Sequence, residues 1–351
     1  MLRPKLPPKL VSGIALAALT ILVSLSVAVP QPQAKKPRRP VRACQRFTSP
    51  SGRDSGRGTR QAPFRTAERL VRSLRPGQVG CLEAGVYRGD VHLLGAGRKG
   101  KRLTLRAAPG ANATLCGFVE FMPGASFWRL TRLRIDGSCS PQNTIQVYAD
   151  YAMLDHDDIT NRHLGPSCVL IGYRAWAPQW VRIAHDRVHD CGHVGNRWDH
   201  AIYASSPRNA QITDNYVYDN SGYGIHLYAD AQATVIERNV VDASDTQSGL
   251  VFGGSGALAS SGDLVRHNIF TGNAKYGVTS SWGSRIGTGN VLDSNCFWQN
   301  ANGSFPLAHL GFVPLRNVEA DPKFISAANG NYRVAPRNPC RRMQPRGHVG
   351  P

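Results

Sequence analysis

The sequence predicts an all-β fold, a right-handed parallel β-helix of about eight coils, with a short helical cap before it and an irregular cap after it. Three observations lead there. Seven hexapeptides align, ending at Ile135, Ile159, Val188, Val217, Val241, Phe270 and Phe297, and each is apolar at its first and sixth positions. Their fourth position reads Leu133, Asp157, Asp186, Asn215, Asn239, Asn268 and Asn295, polar in six of seven and recurring about every 27 residues, a period that belongs to solenoids. Between the hexapeptides lie short runs such as Gly224-Ile225-His226-Leu227 and Gly249-Leu250-Val251-Phe252, which alternate with period two as strands do. No intervening segment carries a helical stripe, so a three-strand coil is favoured over helix-containing repeats.

Taken in order, the chain opens with Arg3, Lys5 and Lys9 and then an uncharged run, Ile14 to Val29. This pattern is a signal peptide over 1–28, with small residues at Ser26-Val27-Ala28 for cleavage, and it predicts a secreted, extracellular protein. The alternative is an uncleaved N-terminal membrane anchor, since Val11 to Val29 is long enough to span a bilayer. Residues 29–43 form a basic Pro-rich linker. Residues 44–100 form the N-terminal cap, in which Phe64, Ala67, Leu70, Val71 and Leu74 fall at helical spacing and Pro76-Gly77 ends the helix. The coils are expected over 101–318. Residues 319–351 form the C-terminal cap and tail, expected to cover the last coil, whose bare edge would otherwise pair with other chains.

Eight cysteines in an exported chain point to four disulfides. Cys116–Cys139 and Cys168–Cys191 are each separated by nearly one repeat, so they suit staples between adjacent coils. Cys44–Cys81 and Cys296–Cys340 then close the ends, one pairing scheme among roughly a hundred. The polar column is read as structural, because stacked amides in a parallel array bond their counterparts and the turn backbone. Its Asp157–Asp186 end leaves room for a calcium ion; no other cofactor is predicted. His185, His189, Cys191 and His193 match no common zinc spacing, and no metal site is predicted.

The formal charge is +19, of which the residues before Ala43 contribute +8, leaving +11 on the rest. That excess suits an anionic polysaccharide or cell-wall polymer. No nucleic-acid motif is present. The expected protein is a monomer that meets a membrane only if its signal is uncleaved.

The strand after each ladder position points alternate residues outward. One outward row is Gln146, Leu170, Tyr203, His226, Val251 and Thr279, and beside it runs a second of Tyr148, Gly172, Ser205, Tyr228, Gly253 and Ser281. Tyr203 and His226 are expected to stack one coil apart. An insertion over His193 to Asp199 brings Arg197, Trp198, Asp199 and His200 near them, and inserted loops on a solenoid build its binding wall.

These residues resemble the right-handed parallel β-helix repeat proteins of the pectin-lyase-like superfamily, of secreted bacterial type. The resemblance spans about residues 47 to 340. It rests on the SPSGRDSGRGT loop with APFRT, the LRPGQVGCLEAGVY stretch, the coils, and the DPKF and NYRVAPRNPC segments. It implies the fold more specifically than an activity, because members include lyases, uronate epimerases, hydrolases and proteins without known chemistry.

Uronate β-elimination and C5 epimerisation both need a neutralised sugar carboxylate and a base within reach of the adjacent proton. In that scheme Arg197 or Arg174 neutralises, His226 or His200 is the base, and Tyr203 or Tyr228 returns a proton, with Asp199, Trp198, Tyr148 and Arg174 binding substrate. The outward rows hold no Lys or Arg, and the epimerase Asp-Pro-His motif is absent. A non-catalytic, sugar-stacking cell-surface protein is the alternative. Glycoside hydrolysis is third, because Asp150 and Asp230 end strands three coils apart, further than paired carboxyls work.

Overall fold

The computed structural model describes residues 43–173, 175–308 and 310–351, and its strands stack in parallel into three sheets. Sheet A runs eleven strands from Arg46–Thr48 to Phe312–Leu315, sheet B ten from Gly85–Arg88 to Val318–Glu319, and sheet C nine, beginning at Val91–Leu93. Eight coils place a strand in all three. The first comprises Val79–Leu82, Gly85–Arg88 and Val91–Leu93, so the coils begin inside the stretch that the sequence assigns to the cap. The signal peptide and, save Ala43, the linker lie outside the described residues, as does Arg174. Among the described residues no helix is long and apolar enough to cross a membrane.

Each coil contributes inward apolar residues to one continuous core, with Ile183, Ile212, Ile236, Val188, Val217 and Val241 all fully buried. Thr66 caps the helix Ala67–Ser73, its hydroxyl accepting from the Arg69 N–H, while Leu70 and Val71 seal the first coil. All four expected disulfides form, and no described cysteine is free.

The polar column stacks at the corner between sheets A and B. Each residue's main-chain N–H donates to the side-chain oxygen one coil on, from Leu133 to Asp157 at 2.9 Å, through Asp186 and Asn215, and so to Asn295, which donates to Asn317 at 2.9 Å. Asn215, Asn239, Asn268 and Asn295 also donate from Nδ2 to the next Asn Oδ1 at 2.9–3.0 Å. The residue before each ladder position, from Arg132 through His156 and His185 to Arg316, has φ between 50° and 65°, a left-handed turn that the ladder bonds hold in place. Two shorter ladders, which the hexapeptide pattern does not show, serve the other corners: Asn273 to Asn300, and Thr234 through Asp263 to Asn290.

Asp157 and Asp186 are fully buried, and each of their oxygens already accepts a main-chain N–H. Burial pushes Asp157 up to about 8 and Asp186 well above its ordinary value. The Asp pair thus accepts main-chain N–H groups on both carboxyl oxygens and extends the ladder.

A correction concerns residues 319–351. Glu319 ends the last sheet-B strand, Val318–Glu319, and the loop carrying Phe305 and Leu310 packs on the core at that end. From there the segment runs back along the outer face of sheet B, where Tyr332, Val334, Cys340, Met343 and Val349 bury Tyr216, Val240, Ile269 and Cys296. The reason is compositional. The outward residues of sheet B turn apolar from Tyr216 onward, and an apolar sheet face needs a cover.

Asn268→Ala should lower stability by roughly 3 kcal/mol in urea denaturation, since it orphans the Asn239 donors and an inner carbonyl. Asp157 and Asp186 hold in the folded state protons that the unfolded chain releases near pH 4. Stability should therefore fall as pH rises from about 4 through about 8, and a double Asp→Asn variant should flatten that fall.

Candidate functional site

Alternation in sheet C sends Ile145, Val147, Ile202, Ile225, Leu227, Leu250 and Phe252 into the core, all fully buried. Between them Gln146, Leu170, Tyr203, His226, Val251 and Thr279 pair in register, forming the expected outward row. The register brings the Tyr203 and His226 rings to 5.0 Å at 15°, and Tyr228 lies 5.0 Å from His226 at 29°. Gly253 permits the second contact: a Cβ there would meet Tyr228 Cδ2 at 2.8 Å.

His226 is not exposed as the strand pattern suggests. It is 8% accessible, packed also by Tyr223 at 5.1 Å and by His200, whose ring stands edge-on at 4.2 Å. His200, the alternative base, is 3% accessible and packs edge-on against the His226 ring.

The hydrogen bonds set the tautomers. The Tyr223 main-chain N–H donates to His200 Nδ1 at 3.3 Å, so the His200 proton is on Nε2, which donates to His226 Nδ1 at 2.7 Å. In the tautomer that this bond favours, the remaining His226 nitrogen, Nε2, carries a proton. Burial pushes His200 down to about 3 and His226 well down, with His200 beside it adding to the effect. Both rings stay neutral. Burial raises Tyr203, opposed by a hydrogen bond from Ser205, and burial raises Tyr223.

The insertion behaves differently from its expected part. Arg197 lies over Trp198 at 4.7 Å on an exposed tip; among the described residues neither has a ring, ion-pair or hydrogen-bond contact with the Tyr203–His226 cluster. Asp199 is buried and accepts from His193 Nδ1 at 2.6 Å and from its N–H at 2.9 Å, a bond that shapes the loop. Tyr148 donates to Gln146 Oε1 at 2.7 Å and faces Trp176 at 6.5 Å. The site thus gathers His226, Tyr203, Tyr228 and His200, leaves Arg197 and Trp198 outside their contacts, turns the Asp199 carboxylate to His193, and sets Tyr148 three coils before His226.

Five contributors escape the sequence pattern. Tyr223 and Gly222 precede a strand, where alternation says nothing. Yet a Cβ on Gly222 would meet the Asp199 carbonyl at 1.9 Å, so glycine there lets the Tyr223 backbone reach His200. Glu120 lies in the same outward row as Gln146, three coils or about 14 Å from Tyr203, and burial raises its carboxyl. Its place in the register would have found it. Half-exposed Tyr173 and Trp176 edge the same face.

A family model described as right handed beta helix region matches residues 140–264 and 181–297. The chain is a right-handed parallel β-helix protein. This β-helix protein is similar in structure to pectate lyase Pel9A, at 12% identity and a TM-score of 0.60, over 88% of this chain and 89% of the other. Looser likenesses are an alginate lyase from Paenibacillus sp. (14% identity, TM-score 0.42, 72% and 96% covered) and the A-module of an Azotobacter vinelandii mannuronan C-5 epimerase (18%, 0.40, 69% and 68%). No curated protein matches the chain. At such identities the likeness concerns the fold alone.

Two buried neutral histidines make acid stability a test of the site. In the unfolded chain they take up protons near pH 6.5; in the folded protein His200 does so only toward pH 3, and burial with His200 alongside holds His226 well below its ordinary value. Stability should fall as pH drops across that interval, and His200→Gln with His226→Gln should reduce the slope in urea denaturation at stepped pH.

Proposed function

We propose that this is a secreted, monomeric protein that binds a polysaccharide along the outer face of sheet C and acts on its uronate residues, by β-elimination or C5 epimerisation. The observation that carries the reading is the Tyr203–His226–Tyr228 stack, with its imidazole kept neutral by burial and bonded through Nδ1 to His200. Aromatic faces bind sugar rings, and a neutral imidazole donor stabilises charge that develops on a sugar carboxylate when the neighbouring C–H is broken. His226 is thereby reassigned from base to hydrogen-bond donor. One tyrosine, acting as its phenolate, takes the C5 proton and becomes the hydroxyl. The other returns a proton to C5 from the opposite face, giving the epimer, or gives it to the leaving oxygen as the C4–O bond breaks, giving the unsaturated sugar. Burial keeps Tyr203 protonated, which suits the giving role. Four disulfides fit the oxidising compartment that export implies, and a pectate lyase on a similar scaffold agrees at the level of fold.

One observation favours a non-catalytic glycan-binding surface as the second reading: neither outward row offers a Lys or Arg to neutralise a uronate. Hydrolysis is weaker, since Asp150 accepts from the Gln179 N–H, Asp230 pairs with Arg208 at 2.5 Å and Asp199 holds His193.

The purified protein incubated with pectate, polygalacturonate and alginate should generate unsaturated product by ultraviolet absorbance, or exchange the C5 proton for deuterium by NMR. His226→Gln should lower kcat on the order of 100- to 1000-fold, as removal of a charge-stabilising donor does. Tyr203→Phe, which keeps the ring, should reduce kcat more than it raises KM. Binding without product or exchange selects the second reading, and no binding to any polymer sinks both.

A further inference from the structure

On the corner between sheets A and B, away from the aromatic groove, the coil geometry assembles a second cluster. His156 and His185 occupy the same left-handed corner position in successive coils, with φ of 65° and 62°, so their rings stack at 4.7 Å and 15°. Both address one buried carboxylate oxygen, Asp155 Oδ1, with His156 Nδ1 at 3.1 Å and His185 Nδ1 at 3.5 Å. The other oxygen, Oδ2, pairs with Arg129. His185 Nδ1 is buried and has no hydrogen-bond partner, although it carries a lone pair or a proton that needs one.

We propose that Asp155, His156 and His185 form a binding site for a transition-metal dication of the zinc class. Donors around a tetrahedral zinc, with bonds of about 2.0–2.1 Å, lie about 3.3 Å from one another. The two distances from Asp155 Oδ1 bracket that value, and all three donor atoms fall within 4.8 Å of each other. Two imidazoles and one carboxylate select zinc, nickel or copper over calcium and magnesium, which prefer all-oxygen shells. Arg129 on the free carboxylate oxygen is the kind of outer contact that orients a ligating carboxylate. Both histidines are about one-fifth exposed, so an ion has a path in. The segment 346–351 crosses here: the Gly350 N–H donates to the His185 carbonyl at 2.7 Å, and the His348 ring stacks 6.5 Å from His156. A bound ion would therefore fasten two coils together directly beneath that segment. The sequence does not announce the site, because Asp155-His156 and His185 are 29 residues apart and match no metal spacing; only the coil register joins them.

The test uses the whole exported chain without a polyhistidine tag, stripped with a chelator and titrated with Zn²⁺ by calorimetry, with Ca²⁺ as the comparison. One Zn²⁺ per chain, a rise in Tm on its addition, and a Co²⁺ adduct with the visible absorption of a nitrogen- and oxygen-ligated site are expected. His156→Gln and His185→Gln should each weaken Zn²⁺ binding on the order of 100-fold while leaving the Tm of the metal-free protein within a few degrees of the parent. No Zn²⁺ binding, tighter Ca²⁺ than Zn²⁺ binding, or Zn²⁺ binding unchanged in both variants would overturn the proposal. Should His185→Gln fail to fold, His156→Gln, the more peripheral of the two, decides alone.

Discussion

Everything in this molecule depends on keeping the corner between sheets A and B satisfied once per coil. A three-strand coil must turn sharply, the turn takes a left-handed residue, and its main-chain groups are buried against the next layer with no water to serve them. The Asp157 to Asn317 column resolves this by lending each coil's side-chain oxygen to the N–H of the coil before it. Because the same atom position recurs, register cannot slip by one residue without breaking every rung, and in-register stacking is what aligns Tyr203 with His226 and His156 with His185.

How much of this was legible in the sequence follows from which features repeat. Asn215, Asn239, Asn268 and Asn295 recur with apolar flanks, so the column stood out, and strand alternation around Ile202 and Ile225 sufficed to put Tyr203 beside His226. What does not repeat was hidden. The ladders at the other corners mix Ser, Asp and Asn, so no column emerges from alignment. The first coil, at Val79, carries no polar marker and reads as cap. Residues 319–351 lack periodicity, and only the apolar outward face at Tyr216, Val240 and Ile269, judged together with Cys340, would have shown where they lie.

The site shows the same division more sharply. Direction along a strand is a period-two property and was readable, whereas accessibility is a property of neighbours in other coils. His226 points outward yet is covered, because Tyr203 and Tyr228 flank it in and beside its row and Tyr223 and His200 close in from the preceding turn. The same packing also sets its hydrogen-bond partners, and the tautomer these favour presents a proton where a base was expected. Arg197 and Trp198 err in the other direction. Adjacency in sequence suggested adjacency in space, but Asp199 turns back onto His193 and throws the loop tip outward.

Among the described residues, neither outward row of sheet C holds a Lys or Arg, and much of the basic charge lies on other faces. Arg102, Arg129 and Arg182 crowd sheet A closely enough to lower the Arg102 guanidinium, mainly through burial and then through one another. Arg333, Arg341, Arg342 and Arg346 line a cavity of about 630 Å³ beside Tyr216 and His267, where residues 319–351 cover sheet B. Surface charge of this kind raises the rate of encounter with a polyanion and is screened over about 8–10 Å at physiological salt. It does not reach a ligand atom seated between Tyr203 and Tyr228 as an ion pair would. If the groove takes a uronate, recognition of the carboxylate falls to neutral donors, His226 Nε2–H and the tyrosine hydroxyls, which discriminate by direction rather than by charge. Such a groove would tolerate neutral and acidic sugars alike in the ground state and would favour the acidic one only as negative charge builds on its carboxylate, so selectivity would appear in kcat more than in binding.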